Sequence, residues 1–189
     1  MQAATSLQSM LWPKRDKLLK ETLLIAAGVL LIAIAAHLRV PLQPVPLTFQ
    51  SATVIFISMM LGARLGTLTL CAYIIAGFLG FPVFTQPNSL FSPTAGYVIG
   101  FLPAAFVSGY LAQHGFAKNW LRCFIASCIG ASIIFTFGLI VLASFIGWPL
   151  AFKTGLMPFL LTECIKLTFV SLIVPRCWKE KRKINPYVF

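Results

Sequence analysis

Six apolar stretches, separated by short segments rich in Pro, Gly or basic residues, dominate the hydrophobic pattern of this chain. They cover approximately residues 21–39, 51–61, 67–79, 94–113, 123–146 and 156–174. A helix of about twenty residues, at 1.5 Å per residue, crosses a hydrocarbon core of about 30 Å. The second and third stretches are shorter, so we expect those helices to tilt or to be supported by neighbouring protein. The pattern predicts an all-α membrane protein in which residues 1–189 form a single integral membrane domain with six transmembrane helices.

The segments between the apolar stretches are short and contain residues that interrupt helices. Three prolines, Pro41, Pro44 and Pro46, favour an extended path after the first helix. The sequence GARLG at residues 62–66 predicts a turn, and residues 80–93 form an uncharged loop rich in aromatic and amide side chains. Residues 147–155 are predicted to connect the last two helices as a loop. No connection is long enough to form a soluble domain.

Composition and charge exclude several classes of protein. Apolar residues make up 59% of the chain and charged residues 10%, whereas soluble domains have about 45 to 50% and 25%. The same composition excludes a disordered chain. The net charge of +11 would also suit a nucleic-acid-binding protein, but the basic residues flank the apolar stretches, as in membrane proteins that obey the positive-inside rule. We therefore expect contact with anionic lipid headgroups and no nucleic-acid partner.

The distribution of Lys and Arg predicts the orientation. Two bases, Arg39 and Lys153, fall on one side of the six-helix topology, and Lys166 lies within the last helix. Twelve fall on the other side: Lys14, Arg15, Lys17, Lys20, Arg64, Lys118, Arg122, Arg176, Lys179, Lys181, Arg182 and Lys183. We expect both termini to be cytoplasmic, with residues 1–20 as an N-terminal cytoplasmic segment and residues 176–189 as a basic cytoplasmic tail of a multi-pass protein of the cell membrane.

Glu163 and Lys166 are the most informative pair of residues. They are three positions apart on one helical face, near the predicted midplane of the bilayer. Each would cost about 2.5 to 3.5 kcal/mol at the centre of an inserted helix, so we expect both side chains to point into the protein. They would offer a carboxylate acceptor and an ammonium donor to a small polar ligand. The alternative is a structural ion pair in a noncatalytic membrane scaffold.

A second group of candidate ligand contacts lies around the ends of the second, third and fourth helices, opposite the basic side. Amides supply both donors and acceptors, and aromatic rings provide apolar walls. Taken singly, each polar residue is most simply a loop cap, but together they predict a lid over a cavity. The polar candidates are Gln50, Gln86, Asn88, Thr94 and Tyr97, and the aromatic candidates are Phe81, Phe84 and Phe91.

No motif for catalysis, metal binding or nucleotide binding is present in the sequence. The five cysteines are scattered through apolar helices without a CxxC spacing, and His37 and His114 accompany neither HExxH nor GxSxG. We therefore expect no enzyme activity, no metal, no cofactor and no ATPase site in this chain.

Five motifs, in order along the chain, resemble those of a known family. They are PLTFQ at residues 46–50, GARLG at 62–66, GFPVF at 80–84, SPTAGYVIGF at 92–101, and PFL at 158–160 before Glu163 and Lys166. The resemblance covers roughly residues 23–174. It is to the BioY family, the biotin-binding S components of energy-coupling factor (ECF) vitamin transporters.

The resemblance implies a six-helix S component that captures biotin from outside. Such proteins typically work with a transmembrane coupling subunit and two ATPase subunits, although some lack dedicated partners. By position, Glu163 and Lys166 match the acidic and lysine residues of the last helix that contact biotin. Gln86 lies near a family amide, and Tyr97 lies in a segment similar to GPTGGY. An S component for thiamin or riboflavin remains an alternative at this stage.

The sequence departs from the family pattern in three ways. Glu163 replaces the usual Asp and is one methylene longer. Ser92 and Ala95 replace glycines of the GPTGGY-like segment, and these substitutions reduce the range of backbone conformations that the turn can adopt. The first helix has no pair of small residues at i and i+4, although S components commonly dock on the coupling subunit through an AxxxA-like face. The ureido ring of biotin has donors and an acceptor that Glu163 and Lys166 could pair. The carboxylate of biotin also needs a hydrogen-bond donor, for which Lys166 and Arg39 are the two candidates.

Overall fold

The structure is a computed structural model that describes the backbone of residues 14–86 and 92–184 and the side chains of residues 17–86 and 92–179. Its elements, in chain order, are α1 (Lys14–His37), β1 (Arg39–Val40), β2 (Leu47–Thr48), α2 (Gln50–Phe78), α3 (Ala95–Gln113), a 3-10 turn (Phe116–Lys118), α4 (Trp120–Ile146), α5 (Trp148–Gly155) and α6 (Met157–Ile184). The predicted helical architecture is confirmed.

Five segments of the described chain are long and apolar enough to cross a membrane: Lys17–His37, Gln50–Phe78, Ala95–Gln113, Trp120–Ile146 and Trp148–Lys179. Large apolar side chains such as Leu23, Ile140, Leu161 and Phe169 are exposed on their outer faces. A soluble bundle would place polar residues there, so this surface fits lipid as the surrounding solvent.

Helix α2 reverses direction at Gly62. The backbone there has φ 82° and ψ 175°, a conformation that glycine adopts far more readily than other residues. The two halves lie side by side, because the Gln50 amide donates a hydrogen bond of 2.8 Å to the Tyr73 hydroxyl. In a straight helix residues 23 positions apart would be separated by about 35 Å. The prediction of a turn over residues 62–66 was too wide, since Gly62 alone leaves the helical conformation.

Glycines of α3 allow close contact between backbones. A Cβ atom at Gly109 would lie 2.6 Å from the Ala63 nitrogen, and one at Gly100 would lie 3.2 Å from the Ile134 Cα. Beside this contact, the Gln113 side chain accepts a hydrogen bond of 3.2 Å from the Ala63 N–H. This bond satisfies one of the donors that the start of a helix leaves unpaired.

Three parts of the chain differ from the predictions. The proline-rich segment is extended as expected, but it also forms a hairpin in which Arg39 pairs with Thr48 and Val40 pairs with Leu47. The predicted loop 147–155 is instead the short helix α5, whose second residue, Pro149, suits a first helical turn. Helix α6 continues to Ile184 rather than ending near residue 174, because Lys, Glu and Arg are good helix formers.

The two ends of the bundle differ in what they contain. One end carries the β1–β2 hairpin, the segment 79–86 and α5, and we call it the hairpin end. The other end carries Gly62 and the 3-10 turn, and we call it the tail end. There the Trp178 indole donates a hydrogen bond of 3.2 Å to the Met59 carbonyl, which joins α6 to α2. The cavity described below opens at the hairpin end.

Candidate functional site

Helix α6 presents one buried face to the bundle, and this face carries both charged residues. Glu163 and Lys166 are only 4% and 6% exposed, whereas Leu161, two residues before Glu163, is 74% exposed. Phe159, one turn before Glu163, is buried on the same face. The prediction that both charges point into the protein is therefore confirmed.

Lys166 joins three elements of the structure. Its ammonium group lies 2.5 Å from Glu163 Oε2 and donates hydrogen bonds to the Thr48 carbonyl at 2.9 Å and to Ser51 Oγ at 3.0 Å. An ammonium group has three N–H donors, so each of them has an acceptor. The end of the hairpin and the first turn of α2 are thereby held against α6.

Glu163 is less well satisfied than its partner. Apart from the ion-pair contact of Oε2 with Lys166, neither carboxylate oxygen has a hydrogen-bond partner among the described residues. A buried carboxylate oxygen without a donor is costly. Because Glu163 lines the cavity, this oxygen offers an acceptor to the N–H or O–H group of a ligand.

The cavity beside this ion pair lies between the hairpin, the segment 84–86 and helices α2, α3, α4 and α6. Its volume is about 60 Å³, below the range of about 300 to 1,000 Å³ that is usual for small-molecule sites, so a ligand of that class requires the lining residues to move apart. Polar residues line one part: Thr48, Gln50, Ser51, Thr85, Gln86, Thr94, Glu163 and Lys166. The apolar and aromatic lining consists of Val45, Pro46, Phe84, Tyr97, Val98, Phe101, Ile134, Phe135 and Phe159.

The tertiary structure brings most of the predicted site residues together. Gln50, Phe84, Gln86, Thr94, Tyr97, Glu163 and Lys166 all line this one cavity. Asn88 and Phe91 lie outside the described residues, and Phe81 is exposed at the surface. Arg39 is exposed in β1, and its guanidinium group donates to the Thr85 carbonyl.

Sequence reasoning missed several lining residues. Thr48 and Ser51 hold Lys166, and Thr85 and Phe159 also line the cavity. The sequence did indicate two of these residues, because Thr48 belongs to the PLTFQ motif and Phe159 lies one helical turn before Glu163. No local signal indicated Ser51 or Thr85.

A hydrogen-bonded strap crosses the hairpin end of the cavity. The Tyr73 hydroxyl accepts from the Gln50 amide and donates to the Val83 carbonyl, both at 2.8 Å. The Thr85 hydroxyl donates to the Gln50 amide oxygen at 3.1 Å. Phe84, between these two anchored residues, points inward and packs edge-on against Tyr73 with ring centroids 5.3 Å apart. We call residues 83–85 the strap.

Tyr97 fixes the opposite wall. Its hydroxyl donates to the Gly155 carbonyl at 2.9 Å, which ties the start of α3 to the end of α5. Its ring packs edge-on against Phe135 at 6.0 Å. Close by, the Thr94 and Ser92 hydroxyls lie 2.7 Å apart. The cavity wall is therefore held by side-chain contacts between elements distant in sequence.

Comparisons with known proteins point to one family. The model of the BioY family matches residues 4–183. The "Biotin transporter BioY" of Thermotoga maritima is 36% identical over 164 residues, which are 82% of this chain and 95% of that protein. The "Probable biotin transporter BioY" of Pyrococcus horikoshii is 34% identical over 161 residues, 83% of this chain and 95% of that protein.

A solved structure agrees with these relatives. The crystal structure described as the S-component for biotin from an ECF-type ABC transporter superposes with a TM-score of 0.79 and 25% identity, over 89% of this chain and 95% of the other. Since the family model covers nearly the whole sequence and the relatives align over more than four fifths of it, this chain belongs to the BioY family.

Proposed function

We propose that this protein is the biotin-binding S component of an ECF-type transporter. Its relatives are named biotin transporters, and the crystal structure that it matches is the biotin S-component of such a transporter. The observation that carries the proposal is the buried Glu163 carboxylate, which faces a cavity with an oxygen that lacks a donor. Biotin supplies a suitable donor, because its ureido ring has two N–H groups.

The lining of the cavity matches the parts of biotin. Glu163 accepts a hydrogen bond from a ureido N–H. The Ser51 hydroxyl accepts from Lys166 and keeps its own hydrogen for the ureido carbonyl. The thiophane ring packs against aromatic residues such as Phe135 and Phe159. Gln50, Phe84, Gln86, Asn88, Thr94 and Tyr97 complete the proposed binding site.

We also propose six membrane crossings, with both termini in the cytoplasm and the hairpin end outside. The reversal at Gly62 supports this topology, since it lets α2 enter and leave on the same side. The charge distribution supports it as well, because Arg64, Lys118, Arg122 and Arg176 lie toward the tail end and Arg39 and Lys153 toward the hairpin end. We propose that the membrane in question is the cell membrane. Single cysteines at Lys153 and Lys118, in a background without other cysteines, test it: an impermeant maleimide should label only the former in intact cells.

Transport requires partners, and we propose a transmembrane coupling subunit and two ATPase subunits. Among the five apolar segments described, helix α1 is the most exposed and therefore the best suited for docking, because only 17% of its apolar stretch is buried against the rest of the protein. It lacks small residues at i and i+4, so its docking contacts would differ from an AxxxA pattern. Co-purification of the tagged protein with these three subunits tests the proposal. Biotin uptake by this chain alone in vesicles without them would contradict it.

Binding is tested directly with purified protein. Biotin, but not thiamin or riboflavin, should raise the melting temperature. At a free biotin concentration of one hundred times Kd, the expected stabilisation of the folded state is about 2.7 kcal/mol. Glu163→Gln removes a charged acceptor, worth about 1.5 to 3 kcal/mol, so the affinity for biotin should fall about 10- to 150-fold.

A matched control is available for this substitution. Glu21→Gln makes the same chemical change at the tail end, where Glu21 lies 4.0 Å from Arg64, and it should leave biotin affinity unchanged. Equal binding by wild type and Glu163→Gln would refute the assignment of Glu163. If no vitamin stabilises the wild-type protein, the ion pair is structural and the chain is a scaffold.

A further inference from the structure

The charged centre of the cavity is electrically balanced before a ligand arrives. Glu163 and Lys166 are both buried and form one ion pair. The three N–H groups of Lys166 are directed to Glu163, Thr48 and Ser51. A second carboxylate placed here would face Glu163 in a low-dielectric site without a free ammonium donor, which is strongly unfavourable. The centre therefore suits a neutral ligand end that donates hydrogen bonds.

A second depression lies beside the cavity at the hairpin end. It is lined by Gln43, Pro44, Gln86, Ile146, Leu150 and Thr154. Gln86 also lines the main cavity, so this residue borders both spaces. We call this depression the vestibule.

The vestibule is lined by three polar and three apolar residues. None of the described residues that line it is ionisable. Its two amides both donate and accept hydrogen bonds. The Thr154 hydroxyl donates to the Leu150 carbonyl at 2.8 Å, which leaves its oxygen as an acceptor. This lining can pair with both the N–H and the carbonyl of a carboxamide, and among its described residues it offers no positive charge to a carboxylate.

The bases near the hairpin end do not change this balance. The Arg39 guanidinium already donates to the Thr85 carbonyl, and Lys153 is exposed on α5. An ion pair formed by an exposed side chain contributes little, less than about tenfold in affinity. A negative charge on the outward end of the ligand is therefore not essential for binding.

From this geometry, and resting on the proposed function, we propose that the protein binds biotin with the ureido ring at Glu163 and the carboxyl end in the vestibule. It then also accepts biotin derivatives whose carboxyl group is a neutral amide, including biotin joined to the side-chain amine of lysine. The site would bind such fragments of biotinylated protein as well as the free vitamin.

Calorimetric titration of the purified full-length protein tests the inference. We expect the Kd values of biotin, biotinamide and the lysine amide to agree within about tenfold. A control ligand that carries a methoxycarbonyl group on a ureido nitrogen should not bind, because it blocks the end that faces Glu163. If biotin binds and biotinamide is more than one hundredfold weaker, the inference fails and the proposed function stands. Absence of biotin binding refutes the proposed function itself.

Variants distinguish this orientation from the reverse one. Glu163→Gln should weaken biotin and biotinamide by the same factor, since both place the same ring there. Lys166→Met should also affect the two ligands equally. A much larger loss for biotin than for biotinamide in Lys166→Met would show that Lys166 holds the carboxylate and would overturn the proposal. Lys153→Ala should alter the ratio of the two affinities by less than tenfold, and a larger change would locate the carboxylate at that base.

Discussion

Removing the Tyr73 hydroxyl should open the strap over the cavity. This hydroxyl is fully buried and bridges the Gln50 amide and the Val83 carbonyl at 2.8 Å each. In Tyr73→Phe, a buried donor and a buried acceptor lose their partner while the ring and its contact with Phe84 remain. Leaving such a group unsatisfied costs about 1 to 3 kcal/mol. The cost falls on the closed arrangement, because water can satisfy both groups once residues 83–85 move away.

The expected consequence is faster release of biotin. If the penalty applies to the closed state alone, the dissociation rate rises about 5- to 150-fold. Chasing bound labelled biotin with excess unlabelled biotin measures this rate. Tyr110→Phe is the matched control, because Tyr110 is exposed near the tail end, and its dissociation rate should equal that of the wild type. An unchanged rate in Tyr73→Phe, together with a lowered melting temperature, would refute the view that this network holds the strap closed.

Two further substitutions test the fold and the ion pair. Gly62→Ala introduces a Cβ at a φ of 82°, 2.5 Å from Gln113 Nε2, and should lower the stability by about 1 to 3 kcal/mol in thermal unfolding. Gly80→Ala, also at positive φ but with open space around it, should cost less. Equal losses would contradict a specific role for the packing of residue 62 against Gln113. Lys166→Met should destabilise the protein by about 3 to 5 kcal/mol, because it leaves the buried Glu163 charge without a partner. Glu163→Leu combined with Lys166→Met should restore much of that stability without restoring biotin binding. If the double variant is less stable than Lys166→Met, Glu163 stabilises the fold independently of its partner.

Local sequence was sufficient for some features because their physical cause is local. A run of apolar residues must leave water wherever it folds, so the membrane class and most helix bounds followed from composition and periodicity. The burial of Glu163 and Lys166 followed in the same way, because a pair of charges facing lipid is too costly. Errors occurred where context overrides propensity: residues 147–155 form a helix, and the hairpin adds backbone pairing to the extended segment.

The sequence by itself determined that this is a helical membrane protein with a protected ion pair on its last helix, and its motifs identified the family. Only the tertiary structure decided that Ser51 and the Thr48 carbonyl would take up the donors of Lys166 and leave Glu163 with an unsatisfied oxygen. These partners lie more than one hundred positions apart in sequence. No local pattern encodes such a contact, because it arises from the packing of the hairpin and the first turn of α2 against α6.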